Sequence, residues 1–372
     1  MVLKTYPAIV VFITLLHTAI LGNSASAAFD PNRIQILMNP DLDVIYHTLA
    51  HLNVPDDVLN LFSESYIKKI RQAKEDLEVG ATLLDHELGV LQQRYREYPR
   101  LRFLNRAPFM ADDLSSFKQA LALIDYNDRT QTIPGFNKGK RGKKPLMFYN
   151  SQRLITLFRN KFPATEERAF AKQFASCLED ENFRFYKLYR EARGEWDQLG
   201  MELFKGFWKR QGLSILWPWA SNCGANQFKV FLSPVMNKNG RGVPIVKGQD
   251  LLFHVVVPLP TSQQEAMHAF FVLLHETIHR STDDLVVVNV LSDPVDLNTQ
   301  MAGMRENAAF YAGYLYLKTR FPKYRRPYLS FFLQIASKEA SAVDALESLF
   351  AQSYPLNEAS KRQINTFISD LH

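Results

Sequence analysis

His275, Glu276 and His279 fall in the run His275-Glu276-Thr277-Ile278-His279, two histidines four residues apart with a glutamate directly after the first. On an α-helix, at about 100° per residue, positions i and i+4 return to nearly the same face, so both imidazoles can converge on one metal ion. Glu276 is turned about 100° from His275, where it reaches a water on the metal without becoming a ligand. This spacing is what a helix needs to hold zinc with a water-activating carboxylate beside it.

With nine histidines in 372 residues such a run can arise by chance, so its surroundings decide its weight. Ala266, Phe270, Leu273, Leu274 and Ile278 recur at helical spacing, and Ser262 with Glu265 reads as a capping box. A helix is therefore predicted to begin near Gln263 and to carry the histidines towards its end.

A catalytic zinc commonly takes three protein ligands. One candidate for the third is Glu306, on a predicted helix where Ala302, Ala309 and Gly313 share its face. Small residues there let two helices approach closely enough for a side chain of one to reach a metal held by the other. The other candidate is Asp284 or its neighbour Asp283, which could fold back onto the metal or instead orient an imidazole through its second nitrogen.

The pentapeptide resembles the signature of the zincin metallopeptidases, and Glu306 with Ala309 resembles the Glu-x-x-Ala helix of the gluzincins. Thr282-Asp283-Asp284 with Asn307, Ala308 and Tyr311 is also similar to the deuterolysin-like aspzincins, whose third ligand is an aspartate. Either resemblance implies peptide-bond hydrolysis at a Zn2+ centre with Glu276 as general base and a protein or peptide substrate. Tyr311, Tyr314 and His254 are candidate oxyanion donors by position. A zinc amidase acting on cell-wall peptides shares this chemistry, and a non-catalytic exported binding protein is the reading in which the motif is coincidental.

The elements that must position these groups give an α+β fold, mostly α. From Asp30 to about Ile124 the chain reads as helices, and 150 to 215 returns to helical periodicity. Phe228 to Leu232 and Leu251 to Val257 read as strands, with a polar turn from Asn237 to Gly242 between them. Three parts follow: 1–27 a signal peptide, 28–215 a helical lobe, and 216–372 a zincin-like lobe whose small sheet flanks the histidine helix. An exposed edge of that sheet is where an extended peptide would pair.

Lys4, the apolar run from Ala8 to Leu21 and Ala25-Ser26-Ala27 make the signal segment, which implies a secreted or periplasmic protein. Cys177 and Cys223 allow one disulfide in such a compartment, or two buried thiols. A net charge of +6 is mild for this length and does not indicate a nucleic-acid partner. The basic loop from Lys138 to Lys144 reads as a solvated segment with a possible weak contact to anionic surfaces. His47 and His51 repeat the i, i+4 spacing, but no glutamate follows His47, and they read as a packed pair.

Overall fold

The fold is mostly helical α+β, built around one four-stranded sheet. A computed structural model describes residues 33–52, 61–62, 64–125, 146–247, 249–286, 294–338, 340 and 342–371. The expected signal segment and the basic loop lie outside these residues. Among the described residues no helix is long and apolar enough to cross a membrane.

Strand β1 (Ile34–Leu37) leads into α1 (Pro40–His51), α2 (Glu64–Asp76) and α3 (Leu83–Glu97). Two 3₁₀ turns, Pro99–Asn105 and Ala107–Met110, then precede α4 (Leu114–Ala122), α5 (Leu146–Lys161) and α6 (Thr165–Glu181). The helix runs on through π turns at Asn182–Tyr186 and Trp208–Gly212, which separate α6, α7 (Lys187–Phe207) and α8 (Leu213–Asn222). β2 (Gln227–Ser233), β3 (Arg241–Lys247) and β4 (Asp250–Pro258) come next, then α9 (Gln263–Thr282). The chain closes with α10 (Pro294–Arg320), α11 (Arg325–Ile335), α12 (Val343–Ser353) and α13 (Glu358–Asp370).

The strand order is β1-β2-β4-β3, with β1, β2 and β4 parallel and β3 antiparallel on the edge. Side chains alternate between two cores. Phe228, Val230, Leu232, Phe253, Val255 and Val257 join the core around α9, whereas Phe231, Val243 and Val256 join the core of the N-terminal helices. Burial on both faces explains the unbroken Val255-Val256-Val257 run of β4. The changeover between the cores along the long helix falls between Tyr189 and Met201.

Two local readings differ from the sequence expectation. β1 is a strand inside a region that reads as helical, because four residues are too few to show a period. β3 occupies residues that read partly as a turn and partly as nothing regular, since Gly242 and Pro244 within it, and Gly240 just before it, are strand breakers by type. They are tolerated here because β3 is an edge. The glycines are required by contact: a Cβ on Gly240 would lie 2.5 Å from Val272 Cγ1, and one on Gly242 2.9 Å from Phe253 Cζ.

Helix α9 begins at Gln263 with Ser262 as N-cap, its side chain accepting from Glu265 N–H at 3.2 Å. The reciprocal half of the expected box is displaced by one residue, since the Glu265 carboxylate accepts from Thr261 N–H at 2.7 Å. From Ala269 to Leu274 every residue is buried, so α9 is a central helix rather than an amphipathic one. Each fully buried Phe or Leu on it contributes about 1.5–3 kcal/mol.

Cys177 and Cys223 are buried free thiols in different cores, so the disulfide does not form.

Candidate metal centre

α9 presents His275 and His279 side by side, and α10 crosses it with Glu306 facing them. Glu306 Oε2 lies 3.1 Å from His275 Nε2 and 3.2 Å from His279 Nε2, and the two Nε2 atoms are 3.1 Å apart. Three ligands about 2.0–2.1 Å from one tetrahedral zinc would be about 3.3 Å apart, close to this triangle. The donor set of two imidazole nitrogens and one carboxylate oxygen therefore fits a divalent metal ion. Of the two sequence candidates, Glu306 is the one brought to both histidines. Asp284 is exposed in the turn Asp283–Leu285 and outside the cluster.

Neighbours hold each imidazole in place. His279 Nδ1 pairs with Asp283 Oδ1 at 3.0 Å, a carboxylate orienting the ring from behind. His275 stacks on Phe310, with ring centroids 4.3 Å apart, and is fixed by packing. Burial disfavours the charged form of His279, but its hydrogen bonds to Asp283 and Glu306 and the charges of Glu306 and Glu276 raise it to about 10. Burial likewise raises the Glu306 carboxyl, yet the two histidines outweigh it and hold it well below its ordinary value. Asp283 and Glu306 thus favour positive charge on the imidazole between them, the sign of charge that a bound cation would supply.

Glu276 lies outside the triangle. Its Oε2 accepts from Gly242 N–H on the edge strand at 2.6 Å, and its other oxygen has no hydrogen bond among the described residues. That bond ties the carboxylate to β3, a link hidden from the sequence because Gly242 reads as a turn residue.

Helix α10 can approach α9 because Ala309 is fully buried and Gly313 has no side chain. Ala302, expected on the same face, is exposed. A Cβ on Gly313 would stand 2.9 Å from Tyr328 Cζ and 3.2 Å from Ile278 Cδ1. Gly313→Val is expected to cost about 2 kcal/mol by overpacking and to loosen metal binding, read by chemical denaturation and metal titration.

The proposed oxyanion donors are engaged elsewhere. Tyr311 Oη donates to Asn365 Oδ1 at 3.0 Å, and the Tyr314 hydroxyl is held between Glu347 and Lys318. His254 faces the N-terminal core between Phe109 and Phe231, where burial first and then Lys229 and Lys247 lower it to about 4.

His47, His51 and Glu181 form a second group whose ligand atoms lie within 4.8 Å of one another. A cation already fills it. Lys74 Nζ donates to Glu181 at 3.1 Å, to Asp85 at 2.7 Å and to the Thr82 hydroxyl at 3.1 Å. His47 Nε2–H donates to Glu181 at 2.9 Å, and its Nδ1 accepts from the Tyr66 hydroxyl at 2.9 Å. His51 Nδ1–H donates to the His47 carbonyl at 3.0 Å. This is a buried ion-pair network joining α1, α2, α3 and α6; Glu181, 134 residues from His47, carried no sequence signal.

Comparison with known protein families, with characterised proteins and with solved structures found no significant match.

Proposed function

We propose that this chain is an exported zinc metallopeptidase. The observation that carries the reading is the convergence of His275, His279 and Glu306 on one point with Glu276 beside it, uncoordinated and tied to the sheet edge. His275, His279 and Glu306 would hold Zn2+. Bound there, zinc polarises a carbonyl and brings the pKa of water towards neutrality.

The chain's own groups perform the remaining work. Asp283 keeps His279 in the tautomer that presents Nε2 inward. An extended peptide pairs along the free edge of β3, which sets its scissile carbonyl near the triangle. Glu276 accepts the proton of the attacking water through its unengaged oxygen and returns it to the departing amine. Gly242 N–H fixes the carboxylate during both transfers.

Purified protein is expected to contain one zinc per chain and to cleave denatured casein. A chelator should remove both metal and activity, and added zinc should restore them. Turnover of peptidoglycan peptides without casein would move the assignment to a cell-wall amidase, and protein without stoichiometric metal would end the enzymatic reading.

A further inference from the structure

Strand β3 closes the sheet beside Glu276, and the ladder decides which of its backbone groups face outward. β3 runs antiparallel to β4, with Gly242 opposite Val255, Pro244 opposite Phe253 and Val246 opposite Leu251. Opposed residues in such a ladder alternate between pairs that exchange both N–H···O bonds and pairs that exchange none. Leu251 turns its groups away from β3: its carbonyl accepts from Asn226 N–H at 2.7 Å, and its N–H donates to Asn226 Oδ1 at 2.8 Å. Asn226 directly precedes β2, on the other side of β4. Val246 therefore sits in a pair without ladder bonds, and by alternation so do Pro244 and Gly242. The Gly242 N–H has the same parity, since it donates to Glu276 Oε2 at 2.6 Å.

All three residues thus direct their backbone groups to the open side of the sheet. On an ordinary edge each would offer one donor and one acceptor. Gly242 has its N–H engaged by Glu276, and Pro244 has no N–H. What remains beside Glu276 is a row of carbonyls, with Val246 as the first residue that can also donate. Pro244 and Val246 are exposed, so the row is open to a partner. A second copy of β3 does not match it: with Pro244 laid against Pro244, carbonyl would face carbonyl with no N–H between them. An extended peptide does match it, because every residue except proline brings an N–H.

Resting on the metallopeptidase reading, we infer that Pro244 is a specificity-determining residue. β3 holds the substrate through the carbonyls of Gly242, Pro244 and Val246, and takes only an extended segment whose alternate residues carry free N–H groups. The edge has no donor at Gly242 or Pro244 to make up for a lost N–H, so proline at those substrate positions is excluded.

The test uses the zinc-loaded full chain and one fluorogenic peptide, remade with a single N-methyl group at each residue not flanking the cleaved bond. Removal of an N–H should raise KM by about 3- to 10-fold at alternate residues and leave the intervening ones unchanged, with kcat constant. Proline at the sensitive positions should act as N-methyl does. Pro244→Ala gives the edge a new outward N–H and should lower KM for the unmodified peptide by about 3- to 10-fold, a gain that misfolding cannot produce. Val246→Pro removes the last donor at a position where an edge tolerates proline, and should raise KM by a similar factor. Fluorescence polarisation of the labelled peptide on the zinc-loaded Glu276→Gln protein reads the same order as affinity.

Cleavage without the alternating pattern overturns the inference and leaves the peptidase standing. So does an unchanged KM in Pro244→Ala. If that variant instead becomes dimeric in size-exclusion chromatography with no gain in affinity, Pro244 closes the edge against a second copy and the specificity role is overturned. Alternating N-methyl sensitivity of binding, with no cleavage by the unmutated protein, keeps the peptide edge and ends the peptidase reading. Absence of both binding and cleavage overturns the inference.

Discussion

Glu276→Gln is expected to lower turnover by about 10²- to 10⁴-fold while the protein keeps its fold and one zinc per chain. The substitution isolates proton transfer. The amide oxygen of Gln can still accept from Gly242 N–H, which holds the native side chain at 2.6 Å, so the link between α9 and the edge strand survives. The three metal donors are untouched. What disappears is a group able to take a proton from water and hand it on. Glu306→Ala and His275→Ala should behave differently, each losing metal and activity together. Side-by-side zinc analysis and peptide cleavage distinguish the two classes, and full activity in Glu276→Gln would refute the assigned base.

The second large effect concerns stability. Glu181→Gln should destabilise the protein by about 3 kcal/mol at neutral pH, because Lys74 then stays buried with Asp85 as its remaining counter-charge. Burial alone would raise the Glu181 carboxyl, but its hydrogen bonds to His47 and Thr82 and the Lys74 charge hold it down to about 2. A carboxyl depressed on folding contributes stability that is complete above its unfolded value, near 4.5, and is lost as pH falls from there towards about 2. His51, lowered to about 4 chiefly by burial and also by His47, adds a loss that begins below about 6.5. Denaturation followed from pH 7 to pH 3 should show a steep decline in the unmutated protein and a shallower one in Glu181→Gln. The double variant Glu181→Gln with Lys74→Met should lose less than the sum of the two single changes, since it leaves no uncompensated ammonium.

This ion-pair network and the candidate metal centre share a motif in outline and differ in what completes it. Both begin with two histidines one helical turn apart. At His275 and His279 the third group is a carboxylate facing imidazole nitrogens, and among the described residues no lysine or arginine is paired with it. At His47 and His51 the carboxylate is already neutralised by lysine. Two helical histidines therefore do not by themselves make a metal site.

Periodicity and residue type determined much of this. The helical run ahead of His275, its start at Gln263, the strands β2 and β4, and the face shared by His275 and His279 all follow from side-chain spacing, which is local and repeats every 3.6 or 2 residues. Ala309 and Gly313 marked α10 as a close-packing helix for the same reason. Contacts between distant segments have no such period. Only the tertiary structure chose Glu306 over Asp284, because the crossing of α9 and α10 decides which carboxylate reaches the imidazoles. It alone made β3 an edge strand whose Gly242 N–H holds Glu276, and set Glu181 against Lys74. The pentapeptide set two imidazoles and a carboxylate on one helix; packing brought Glu306 to the imidazoles and tied Glu276 to the sheet edge.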